Sequence, residues 1–69
     1  MFNVTLYQPD NTGRGLDVYR TSTFNTYSAA AAFVDRFAAV DLDEFENSSE
    51  FAETGEYPIC ELFYEIIGL

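Results

Sequence analysis

Carboxylates are the side chains most able to do chemistry in this 69-residue chain, which has twelve acids, three arginines, no lysine and no histidine. Two carboxylates could act as general acid and general base, but no spacing singles out one pair. With no histidine and one cysteine, Cys60, the chain cannot build a Ser-His or Cys-His pair, an imidazole zinc site or an internal disulfide. We therefore predict a binding protein without catalytic residues, cofactor or metal ion.

One stretch, Asp41-Leu42-Asp43, has a spacing typical of metal-binding loops. A calcium loop needs further oxygen ligands at alternate positions, a glycine at the turn and a bidentate glutamate at the end. Here Phe45 occupies the position of the next ligand, Glu46 that of the glycine and Ala52 that of the glutamate. We expect no dedicated metal site in this stretch.

The negative charge is distributed unevenly along the chain. Residues 1–40 hold three acids and three arginines, whereas residues 41–69 hold nine acids and no base, so the latter carry the whole formal charge of −9. Crowded like charges destabilise a fold, and a basic partner surface would offset that repulsion. A solvated acidic loop that keeps the protein soluble and an adaptation to high salt remain the alternative interpretations.

A regular arrangement of these acids would suit a groove built for nucleic acid. If residues 43–53 are even partly helical, one face carries Asp43, Glu46, Glu50 and Glu53, at steps of three, four and three residues. Successive carboxylates would then lie about 5 to 6 Å apart along the helix axis, which is comparable with the spacing of phosphates on a strand. The weak point of this geometry is the polar stretch 47–49.

We predict that partner-binding residues lie in and beside this acidic segment. The acids are Asp41, Asp43, Glu44, Glu46, Glu50, Glu53 and Glu56, and the neighbouring aromatic residues are Phe45, Phe51 and Tyr57. The acids would contact lysine and arginine of a partner, and the rings would add affinity that charge alone does not supply. The same three rings could instead belong to the core.

The elements that must position these residues begin with a hairpin. Alternating apolar and polar residues predict a strand over Phe2–Tyr7, and turn-forming residues follow at Pro9–Gly15. Valine, threonine and aromatic residues in Leu16–Phe24 predict the returning strand. Asn25 or Thr26 could cap a helix.

That helix should run from Tyr27 to Val40, because Ala30, Phe33, Val34 and Phe37 recur at steps of three and four residues and would cover the hairpin. After it, residues 41–56 should form a loop with one or two short helical turns. Each of these expectations follows from local pattern alone.

The stretch Pro58–Ile67 fits two patterns. As a strand it places Cys60, Leu62, Tyr64 and Ile66 on one face, and as a helix it begins near Pro58 and ends at Gly68. We favour the strand because isoleucine and aromatic residues suit a sheet. The predicted fold is a single α+β domain over residues 1–69, with a small antiparallel sheet and one main helix in the order strand, strand, helix, acidic segment, strand. Cys60 would be a reduced core or interface thiol.

A small acidic chain with a hairpin, one covering helix and no catalytic residues resembles the phage-encoded inhibitors known as anti-CRISPR proteins and other DNA mimics. The resemblance extends over the whole chain and rests on size, charge and element order. It implies an inhibitor in the host cytoplasm that binds a nuclease or a CRISPR effector and blocks its DNA-binding groove or a moving domain.

The net charge disfavours direct binding to nucleic acid or to an anionic membrane. The alternative function is a structural protein whose aromatic residues form a homo-oligomer, for example a homodimer.

Overall fold

An antiparallel hairpin forms the first part of the chain, as predicted. In the computed structural model, which describes residues 1–69, β1 (Phe2–Pro9) pairs with β2 (Leu16–Phe24). In the connecting loop the Asp10 carboxylate accepts hydrogen bonds from the backbone N–H groups of Thr12 and Gly13, at 2.9 and 3.1 Å. Gly13 has a φ of 73°, a left-handed conformation that glycine adopts without a Cβ penalty. These contacts fix the reversal between the two strands.

Helix α1 (Tyr27–Arg36) covers one face of the hairpin. Thr26 caps it, since its Oγ1 accepts a hydrogen bond from the Ala29 N–H at 3.1 Å. On the inner face, Ala30 and Val34 are buried and form the main core with Val4 and Leu6 of β1, against which seven partly buried side chains pack. The helix thus lies where the three- and four-residue spacing predicted.

The prediction that this helix continues to Val40 was wrong. Phe37 is its C-cap, and Ala38 has a φ of 50°, which ends the helical path. The Val40 N–H donates to the Leu62 carbonyl at 2.8 Å, so Val40 enters a short strand, β3 (Val40–Asp41). A bond to a residue so distant in sequence overrode the local helical pattern.

The sheet has four strands in the order β2-β1-β4-β3. β4 (Phe63–Gly68) pairs with β1 and is antiparallel to it, in agreement with the predicted antiparallel sheet, whereas β3 is parallel to β4 and was not foreseen. The prediction of a strand over Pro58–Ile67 is correct only from Phe63 onward. Ile59 and Cys60 form a turn closed by the Glu61 N–H, which donates to the Pro58 carbonyl at 3.1 Å. Cys60 is exposed, so of its two predicted places, core or interface, the core is wrong.

The acidic segment contains two short helices, α2 (Leu42–Glu46) and α3 (Ser49–Thr54), in agreement with the predicted helical turns. On β4, Tyr64 and Ile66 face the main core, and strand alternation directs the Phe63 side chain to the opposite face. Phe63 is fully buried there. The acidic segment is attached to the sheet at this residue.

Candidate interaction surface

Four aromatic rings hold the acidic segment against the sheet. The Phe45 ring centroid lies 5.1 Å from that of Phe63, and the Tyr57 ring lies 5.5 Å from Phe63 and 5.0 Å from Phe51. Tyr57 is only 8% exposed, and Phe45 and Phe51 are half-buried. We call these four residues the aromatic cluster. Most of the apolar surface of the three predicted aromatic anchors is therefore used inside the protein.

Ser48 interrupts the predicted row of acids. Its hydroxyl donates to the Phe45 carbonyl at 2.6 Å, at the end of α2, and accepts from the Phe51 N–H at 3.2 Å, at the start of α3. A serine in this position caps the second helix and lets the chain change direction between the two. Residues 43–53 are thus helical in two separate parts, and the regular row from Asp43 to Glu53 is not formed by a single helix face.

The acids of the segment nevertheless remain on the surface and almost free of arginine. Asp41 is half-buried, and exposed positions are occupied by Asp43, Glu44, Glu46, Glu50, Glu53 and Glu56. The one ion pair joins Arg14 Nε to Glu56 Oε1 at 3.8 Å, between exposed side chains. Arg20 instead lies over the Phe33 and Phe37 rings, about 6 Å from each centroid. The charge of the acidic segment is thus available to a partner.

Three tyrosine hydroxyls orient carboxylates without cancelling their charge. Tyr57 donates to Glu46 at 2.6 Å, and two longer contacts of 3.4 Å each join Tyr64 to Asp41 and Tyr7 to Glu65. Burial, together with the neighbouring carboxylate, raises the pKa of all three phenols, that of Tyr57 to about 12. Each hydroxyl is protonated at neutral pH, so it donates a hydrogen bond and brings no charge of its own. The sequence contained no local signal for these pairs, because each joins residues at least eleven positions apart.

Asp41 has a second role in the local structure. Its Oδ1 accepts from the Glu44 N–H at 3.2 Å and caps α2, while Oδ2 is the oxygen that faces the Tyr64 hydroxyl. Asp43 and Glu44 lie in the first turn of the same helix, where negative side chains are favourable. The cap fixes the Asp41 carboxylate at the point where β3 leaves the sheet.

An open cleft of about 210 Å³ lies next to this carboxylate. It is lined by Tyr27 from α1, by Asp41 and Asp43, and by three successive residues of β4, Tyr64, Glu65 and Ile66. The lining therefore combines the carboxylates of Asp41 and Asp43 with two tyrosines and contains no base. The Glu65 side chain lies on the opposite face of the sheet, where its carboxylate accepts from the Tyr7 hydroxyl. Sequence reasoning identified Asp41 and Asp43 but missed the contributions of α1 and β4, which become neighbours only through the sheet.

A second cleft of about 290 Å³ borders the aromatic cluster. Its lining includes Glu50 and Glu61 together with Phe45 and Phe63. Neither cleft brings three potential metal ligands into coordinating range. What both offer chemically is carboxylate oxygens beside aromatic rings, a combination that suits an organic cation such as a lysine or arginine side chain.

No match to the chain was found among protein-family models, curated proteins or solved structures. None of its helices has the length and apolar character needed to cross a bilayer.

Proposed function

We propose that the protein binds stoichiometrically to a basic surface of a nucleic-acid-binding complex and excludes the nucleic acid from it, as an inhibitor of the anti-CRISPR or DNA-mimic type. One observation carries the proposal: residues 41–69 hold nine acids and no base, and only Glu56 has an arginine partner. A surface of this kind attracts a cationic groove and accelerates encounter with it.

The fold supports this function through the way the acids are held. The aromatic cluster fastens α2 and α3 to the sheet, so the carboxylates are carried on an ordered support and less conformational entropy is lost on binding. The partner's lysines and arginines would replace solvent counter-ions around Asp43, Glu50 and Glu53. Because such contacts are screened by salt, affinity should fall as ionic strength rises.

Charge reversal at α3 tests the proposal. Glu50→Lys with Glu53→Lys changes two exposed side chains that make no side-chain hydrogen bond, unlike Glu46, whose carboxylate is bound by Tyr57. The matched control is Asp17→Lys with Asp35→Lys, which changes the net charge equally in the first part of the chain.

The wild-type protein and both double variants are immobilised and exposed to a bacterial lysate, and retained proteins are eluted with a DNA oligonucleotide. We expect the wild type and the control to retain DNA-binding proteins that competing DNA releases, and the α3 variant to lose them. The proposal would be overturned if the wild type retained no protein or if competing DNA did not release what it retained. It would also be overturned if the α3 variant retained the same proteins as the wild type.

The alternative function, assembly into a homo-oligomer, is favoured by one feature of the hairpin. β2 is an edge strand of nine residues, and Val18 and Tyr19 on it are exposed. An edge of this length can pair with another copy. Light scattering distinguishes the two functions, since assembly requires a concentration-dependent dimer or larger species in the absence of any basic partner.

A further inference from the structure

The opposite edge of the sheet is only partly covered. β3 pairs with β4 at two positions, Val40 with Phe63 and Asp41 with Tyr64. The chain then leaves the sheet as α2 begins at Leu42, while β4 continues to Gly68. On this side, the stretch 65–68 of β4 has no neighbouring strand.

The backbone hydrogen bonds show which polar groups point to the open side. The Leu62 carbonyl accepts from Val40 of β3, whereas the Leu69 N–H donates to the Met1 carbonyl, on the β1 side. Because successive residues of a strand direct their N–H and C=O groups to alternate sides, those of Ile66 and Gly68 point away from β1. Beyond the end of β3 they offer donors and acceptors to an added strand.

The side chains around this open edge are acidic and apolar. The cleft beside it presents the carboxylates of Asp41 and Asp43, and Glu65 adds a third carboxylate on the opposite face of β4. Ile67 of β4 and Leu69, the residue that follows this strand, are 47% and 77% exposed. The edge thus combines unpaired backbone groups with a negative and partly apolar lining, which is complementary to an extended segment with basic and apolar residues.

We propose that this open edge of β4 accepts an extended basic segment of the partner protein as an additional strand that continues the sheet beyond β3. The inference rests on the proposed function and specifies the form of the partner. Backbone bonds to Ile66 and Gly68 supply affinity, as in other cases of strand addition. Lysine or arginine side chains on one face meet Asp41 and Asp43, and apolar side chains on the other face meet Ile67.

Two tyrosines lie where the lysine or arginine side chains of the added strand would be held. Tyr27 and Tyr64 line the cleft with the carboxylates, and a cation held among them can also contact an aromatic face. A second copy of this chain is a poor occupant, because its own net charge of −9 opposes approach to a carboxylate-lined edge. The β2 edge is a poorer site for a basic strand, since a bulge interrupts its register with β1. Its one acid, Asp17, is also balanced in charge by Arg20 on the same strand.

The probe is a short synthetic peptide in which lysine alternates with valine, blocked at both ends and added to the ¹⁵N-labelled protein. We expect the Ile66 and Gly68 amides to shift and to become protected from hydrogen exchange. A peptide in which glutamate replaces lysine should not bind. A peptide N-methylated on alternate residues, and so unable to pair along one edge, should bind more weakly by about fivefold for each hydrogen bond lost.

Gly68→Pro tests the edge from the protein side. It removes an N–H on the open side of β4, and a Cβ at this position would lie 3.8 Å from Phe2 Cε1, an ordinary contact. We expect the peptide affinity to fall about fivefold, as one hydrogen bond is lost. If Gly68→Pro does not fold by circular dichroism, the N-methylated peptide tests the same bond on the wild type.

Neutralising single carboxylates distinguishes a local effect of the cleft on peptide binding from an effect of the net charge of the protein. Asp43→Asn removes a carboxylate from the cleft, and Asp35→Asn removes the same charge from the exposed face of α1. The first should weaken peptide binding more than the second at low salt. Equal effects, or peptide binding without protection of Ile66 and Gly68, would overturn strand addition. The lysate experiment distinguishes this failure from failure of the proposed function. If strand addition is overturned but the immobilised protein still retains proteins that DNA releases, the proposed function stands without strand addition. If the immobilised protein retains no such proteins, the proposed function fails as well.

Discussion

Tyr57→Phe is expected to destabilise the protein and to change how its stability depends on alkaline pH. The change removes only the hydroxyl that donates to Glu46 at 2.6 Å and keeps the ring within the aromatic cluster. A hydrogen bond to a charged group contributes about 1.5 to 3 kcal/mol. Because Glu46 is exposed, we expect the lower end of that range at neutral pH.

The pH dependence follows from the raised pKa of Tyr57. Burial, with the hydrogen bond and the charge of Glu46, raises it from 10.0 to about 12 in the folded protein. The native state therefore holds the phenolic proton more tightly, so this stabilisation is complete below pH 10 and is lost as the pH rises towards 12. Linkage gives a loss of about 1.4 kcal/mol by pH 11, which Tyr57→Phe cannot show.

The measurement is urea unfolding of the wild type and the variant at roughly pH 7, 9, 10 and 11, values that span the ordinary pKa of tyrosine. Tyr7 and Tyr64, whose pKa values are also raised, are present in both proteins. Their contributions to the pH dependence of the free energy of unfolding therefore cancel when the variant is compared with the wild type. Tyr19→Phe is the control, because the Tyr19 hydroxyl makes no hydrogen bond within the chain and its ring lies against Phe37. A wild-type advantage that stays constant from pH 9 to pH 11 would refute the role assigned to the Tyr57 hydroxyl.

Two further outcomes are expected. Ala38→Gly should stabilise the protein by about 0.5 to 1 kcal/mol, because at a φ of 50° the Ala38 Cβ lies too close to the following carbonyl oxygen. Relief of that contact exceeds the entropy that glycine adds to the unfolded chain. Thermal unfolding measures this, with Ala29→Gly at an exposed position of α1 as a destabilising control. Added sodium chloride should raise the melting temperature, since it screens repulsion among the nine acids of residues 41–69, and a melting temperature that is independent of salt would contradict the view that these acids repel one another in the free protein.

The interaction surface was only partly predictable from sequence. The acids of residues 41–56 were identified because charge is a property of composition and needs no fold. Their arrangement was not, since the hydroxyl of Ser48 ends one short helix and begins another. Tyr27 and Glu65 were missed because they reach the cleft from α1 and β4, far from the acidic segment in sequence.

By itself, the sequence determined the hairpin, the start of the covering helix, the C-terminal strand and the uneven charge. Alternation in β1, the Thr26 cap and the absence of bases after residue 40 are all encoded within a few neighbouring residues. Only the tertiary structure decided that Val40 joins a parallel strand, that Cys60 lies in an exposed turn and that β4 has an open edge. These features depend on hydrogen bonds such as that from Val40 to Leu62, whose partners meet only when distant segments pack together.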